Sequence, residues 1–114
     1  MKKLFMLAFA LVAFATTTKA QNKFDAADFK SKLGKTGTLC DTVKSLRIVS
    51  DTLTLLNMGG VYPHQKYTIA IKGNKVTLDL PNIKGKAVCV TGVFEMFKEQ
   101  PEVVASRAEQ IYVH

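Results

Sequence analysis

The chain has no apolar run long enough to cross a membrane as a helix. Its longest, Leu4 to Ala15, is twelve residues, whereas spanning hydrocarbon takes about 20. It has no run of five or more basic residues, so composition alone names no polyanion partner. Neither a CxxC nor a paired-histidine spacing is present, which argues against a metal site built from Cys40, Cys89 and His64. The only arginines are Arg47 and Arg107, with no carboxylate cluster near them in sequence, and no activated serine arrangement is visible. A nuclease needs such carboxylates to hold its metal and such arginines to hold phosphate. The expectation is therefore a protein without catalytic residues and without a cofactor.

What is present begins with a leader. Lys2 and Lys3 precede the apolar run, and Thr16-Thr17-Thr18-Lys19-Ala20 follows it with small residues where a signal peptidase reads. Residues 1–20 read as a secretory signal peptide cleaved after Ala20, and residues 21–114 as one periplasmic or secreted domain. Gln21 rather than a cysteine follows the cleavage point, which argues against a lipid anchor. The leader carries three of the 16 basic residues and none of the nine acidic ones, leaving a mature domain of formal charge +4.

Within that domain Asp25 to Gly34 reads as a short helix, with Asp25 as its cap, Phe29 and Leu33 as its stripe and Gly34 as its stop. Strands follow at Thr36–Val49, Thr52–Asn57 and Lys66–Ile71, turning at Ser50-Asp51. Val76–Leu80 extends a hairpin through the Lys72–Lys75 turn. Met58 to Gln65, with two glycines and a proline, is a loop. In the fourth strand Val88, Val90, Phe94 and Met96 share the inward parity, and Gly92 leaves a gap that lets the strand coil. Glu102–Ala105 is the fifth, with Ile111 and Tyr112 resuming the pairing. Five short strands in so few residues predict an all-β fold, a five-stranded closed barrel with a short N-terminal helix.

The chain resembles the secreted single-domain OB-fold proteins of bacteria, a nucleic-acid-binding OB-fold family. The resemblance rests on Gly34-Lys35 with Leu39-Cys40, on Leu55-Leu56-Asn57-Met58-Gly59 before Tyr62-Pro63-His64-Gln65 and Tyr67-Thr68-Ile69, and on Gly85-Lys86 through Gly92 to Pro101-Glu102-Val103-Val104. Three positions depart from the pattern. Asp41 and Glu99 stand where glycine is expected, and the link before Gly85 is too short for the helix many OB-folds carry.

The resemblance makes Cys40 and Cys89 neighbours on the first and fourth strands, and two readings follow. They form a disulfide, as an oxidising compartment favours, or they pack as two small apolar thiols. It also points to a ligand face formed by the first three strands, for which Lys44, Arg47, Tyr62, His64, Lys66, Tyr67 and Lys72 are the candidates. Cations follow phosphates and aromatic rings stack on bases. The competing reading keeps Tyr67 in the core with Ile69 and Ile71 and leaves Tyr62-Pro63 to shape the loop. The function implied is a monomeric, non-catalytic module binding single-stranded nucleic acid or another extended polyanion. The alternative is an envelope stress protein holding a small ligand or a protein partner.

Overall fold

A computed structural model describes residues 23–114; the expected signal peptide and the cleavage point at Gln21 lie outside them. Among the described residues the chain is mostly β. In order it forms α1 (Ala26–Ser31), β1 (Thr36–Ser50), β2 (Leu53–Met58), β3 (Tyr67–Lys72), α2 (Leu80–Ile83), β4 (Ala87–Phe97), β5 (Gln100–Ala105), a 3₁₀ turn (Ala108–Gln110) and β6 (Ile111–Val113). No helix among these residues is long and apolar enough to cross a membrane.

Five strands close a ring. β1 pairs with β2, β2 with β3, β3 with β5, β5 with β4, and β4 returns to β1, while β6 adds to β4 on the outside. All of these pairings are antiparallel except β3 with β5, which is parallel. The ring closes because β1 and β4 are long enough to serve two neighbours each. Thr36–Thr42 of β1 pairs with β4, and Val43–Ser50 pairs with β2. β4 passes from β1 to β5 at Gly92, where a side chain would collide with the Val104 carbonyl. The Gln110 amide bridges the gap, donating to the Thr91 carbonyl at 2.9 Å and to the Val104 carbonyl at 3.2 Å.

The core fills the ring with Leu39, Val43, Leu56, Met58, Tyr67, Ile69, Val88, Val90, Phe94 and Val103. α1 covers it. The Asp25 carboxylate accepts from the Ala27 amide, and Phe29, 2% exposed, stacks on Phe94 with ring centroids 4.5 Å apart. Burying a ring of that size stabilises by about 1.5–3 kcal/mol. Asp25 caps as expected, but the helix stops at Ser31 and leaves Leu33 exposed, so its buried face is Phe29 alone.

Four further expectations are corrected. Met96 is exposed, because it lies beside the β4–β5 turn, opposite Pro101 and beyond the buried Phe94–Val103 pair. Met58 ends β2 fully buried and does not belong to the loop. Val76–Asp79 forms no strand; Val76, Leu78 and Leu80 pack against the core as an irregular segment. The link before Gly85 does hold a helix, the single turn α2, which carries Ile83 into the core. Pro81 near its start suits a first helical turn, whose amide has no intrahelical partner to lose.

The cysteines are bridged. Cys40 and Cys89 are register partners across β1 and β4, with their sulfurs bonded at 2.00 Å.

Candidate binding groove

A groove of about 800 Å³ runs over the outward face of β1, β2, β3 and β5, between the Gly59–Lys66 loop and the β4–β5 turn. A bulge in β1 makes that face. Lys44 falls between Val43, opposite Met58, and Ser45, opposite Asn57, and has no partner of its own. The extra residue flips the alternation. Leu46 turns inward against the core, whereas Ser45 and Arg47 turn to the groove. Alternation carried on unbroken from Leu39 and Val43 would turn Ser45 inward; the bulge turns it outward and leaves Lys44 exposed and outside the groove.

The floor is apolar at one end and polar at the other. Leu53, Leu55, Ala70 and Pro101 supply the first part. The second is a hydrogen-bonded chain across three strands and a loop. Asn57 Nδ2 donates to Ser45 Oγ at 3.0 Å, Thr68 Oγ1 donates to Asn57 Oδ1 at 3.4 Å, and Gln65 Nε2 donates to Thr68 Oγ1 at 3.2 Å. The Tyr62 amide closes the far end on Ser45 Oγ at 3.4 Å. One atom of this chain is left over. Gln65 Oε1 is buried without a hydrogen-bond partner, and a buried acceptor in that state carries a desolvation cost.

Glu102 is the groove's buried carboxylate, 7% exposed. Burial pushes it up to about 7, a hydrogen bond to Glu95 and that residue's charge push the same way, and Lys72 pulls against them. Lys72 acts on it, and Arg47, Lys98 and the rings of Tyr62 and Phe97, which are 69% and 55% exposed, line the same groove. Lys98 lies 5.5 Å from the centroid of Phe97, within cation–π range.

The structure thus brings Arg47, Tyr62 and Lys72 together and separates the other candidates from them. Lys66 reaches Asp41 at 3.8 Å instead. His64 is exposed on the loop and does not line the groove, which takes Pro63 and Gln65. Tyr67 is fully buried in the core, where burial and the nearby Asp41 charge hold its hydroxyl well above the usual range.

Sequence reasoning missed Ser45, Asn57, Gln65, Thr68, Phe97, Lys98 and Glu102. A signal existed for Glu102, a lone carboxylate entering the apolar run Pro101–Ala105. None existed for Ser45, whose direction depends on the bulge. Two carboxylates also meet where the sequence showed no cluster, since Glu102 sits opposite Glu95.

One other set of donors is assembled. Cys40 Sγ, Cys89 Sγ and a His114 ring nitrogen lie within 4.8 Å of one another, with His114 Nε2 3.2 Å from Cys89 Sγ. His114 therefore takes the place beside the cysteines that sequence spacing weighed for His64. No family model and no curated protein matches the chain.

Proposed function

We propose that the chain is an exported, monomeric, non-catalytic OB-fold module that holds single-stranded nucleic acid in the groove over β1, β2, β3 and β5. The observation that carries this reading is the meeting of two exposed rings, Tyr62 and Phe97, with three cations, Arg47, Lys72 and Lys98, along one groove. Aromatic faces accept any base by stacking, and cations beside them follow the backbone. The ring order β1-β2-β3-β5-β4-β1 supports the OB assignment, and in that fold the face of the second and third strands, with the adjoining loops, takes oligonucleotides. Export rests on the leader; the disulfide and the lack of a spanning helix among the described residues are compatible with it.

A specific observation favours a second reading. Leu53, Leu55, Ala70 and Pro101 give the groove an apolar floor, which suits a small, mostly apolar ligand as well as a base.

Fluorescence anisotropy with labelled single-stranded DNA separates the two. Three phosphate contacts at about −0.7 each predict a slope near −2 for the logarithm of affinity against that of salt. Absence of binding at ~50 mM salt and high micromolar protein removes the nucleic-acid reading, and stabilisation by small apolar molecules would then support the second. Cleavage of the oligonucleotide in the same tubes would overturn the non-catalytic assignment.

A further inference from the structure

We propose that the reduced chain binds one Zn²⁺ through Cys40 Sγ, Cys89 Sγ and the His114 imidazole, and that closing the disulfide expels it. The site lies on the β1–β4–β6 sheet, apart from the groove, and does not depend on what the groove holds.

The placement follows from register. Cys40 faces Cys89 across β1 and β4, and Cys89 faces Tyr112 across β4 and β6. Alternation along β6 puts residue 114 on the same side as Tyr112. The His114 amide donates to the Ala87 carbonyl at 2.9 Å, which extends the pairing by one residue. The ring is then held edge-on to Tyr112 at 4.7 Å, with Nε2 at 3.2 Å from Cys89 Sγ. Donors from β1, from β4 and from the residue that follows β6 thus converge.

Two thiolates and an imidazole are a zinc set, with Zn–S about 2.3 Å and Zn–N about 2.0 Å. At those lengths a tetrahedral ion holds its two sulfurs roughly 3.7 Å apart. The two Cα atoms stand 4.0 Å apart, and once the bond between the sulfurs is reduced, rotation about each Cα–Cβ bond lets them separate to that distance. The cysteines are half-buried and His114 is exposed, so the ion has an open approach and keeps a fourth position for water.

The chemistry balances in both directions. A dithiol reduces the bridge, becoming a disulfide itself and leaving two protein thiols. These bind Zn²⁺ and release two protons. Conversely, a small disulfide and two protons convert the zinc dithiolate back to the protein bridge, two small thiols and free Zn²⁺. The sulfurs cannot be bonded to each other and serve as two thiolate ligands at once, so oxidation and zinc binding exclude one another.

Calorimetric titration of Zn²⁺ into anaerobic, phosphine-reduced protein, paired with Co²⁺ visible spectra, tests this. One equivalent should bind, with thiolate-to-Co²⁺ charge transfer and the intense bands of a tetrahedral ion, and the oxidised protein should bind none. His114→Ala, on an exposed residue, should weaken binding at least 10-fold, the loss that even ligand-supporting groups cause. A Cys40→Ser, Cys89→Ser double variant should abolish it. Should reduction unfold the chain, Zn²⁺ should restore the β-sheet circular dichroism, as a structural zinc does. No binding by the reduced protein, equal binding by the oxidised protein, unchanged affinity in His114→Ala, or failure of Zn²⁺ to restore a lost fold each overturns the proposal.

Discussion

Glu95 and Glu102 stand directly opposite one another across β4 and β5, so two carboxylates share one place in the sheet. Like charges so placed destabilise unless one takes a proton. Burial favours the proton on Glu102, the less exposed of the two, and pushes its carboxyl up.

That arrangement sets a pH dependence. Glu102 is pushed up to about 7 in the folded chain, whereas an unfolded glutamate releases its proton near 4.3. Between these values the folded state holds more protons than the unfolded one. Stability therefore falls as pH rises from about 4.3 to about 7 and stays lower above it. Glu102→Gln is neutral throughout and should be more stable than wild type at pH 8, on the order of 1–3 kcal/mol. The two should melt together at pH 4. A variant that melts at or below wild type at pH 8 would contradict the assignment.

The bridge between Cys40 and Cys89 closes a loop of 49 residues. In the chain-entropy account such a link restricts the unfolded state by about 4 kcal/mol. Replacing both cysteines by serine should lower the free energy of unfolding in urea by about 2–4 kcal/mol. An unchanged urea midpoint would mean that the ring holds itself closed without the link.

The β4–β5 turn places Lys98 at φ 51° and Glu99 at φ 67°, a region that glycine occupies without steric cost. Glu99→Gly should stabilise by up to about 1 kcal/mol and leave the groove's salt slope unchanged. Lys98→Gly should relieve similar strain but reduce that slope by about 0.7, because it removes a groove cation. Thermal melts and salt-dependent anisotropy on the same samples distinguish the two positions.

Within the groove, rings and cations should separate cleanly. Tyr62→Ala or Phe97→Ala should cost about 1–3 kcal/mol of single-strand affinity with little change in slope. Lys72→Ala should reduce the slope by about 0.7 whatever the base sequence. Lys44→Ala and Lys66→Ala, outside the groove, should do neither; a loss at Lys66 equal to that at Lys72 would move the binding face.

Alternation made the inner wall legible: Val88, Val90 and Phe94 are buried as their shared parity requires. The same logic kept Tyr67 in play as a core residue. It failed at Lys44, because a bulge adds one residue to one strand and leaves no mark in composition. From there Ser45, Leu46 and Arg47 all face the other way, and the polar chain from Ser45 to Gln65 became invisible with them. The helix α2 was missed for a different reason. A single turn of four residues is too short to show a helical period, and its Ile83 reads equally well as a strand residue.

The ring joins pairings that are local in sequence to pairings that are distant. β1, β2 and β3 are consecutive in sequence and pair as a meander, so they can find one another locally. The first half of β1 cannot, since Thr36 meets Val93 and Thr42 meets Ala87 only after most of the domain has emerged. Contacts so far apart in sequence slow folding. Until β4 arrives, that half of β1 presents unpaired backbone amides and carbonyls, and Cys40 has no partner. Half of β1, with its cysteine, thus depends for its pairing on a segment 49 residues further along the chain.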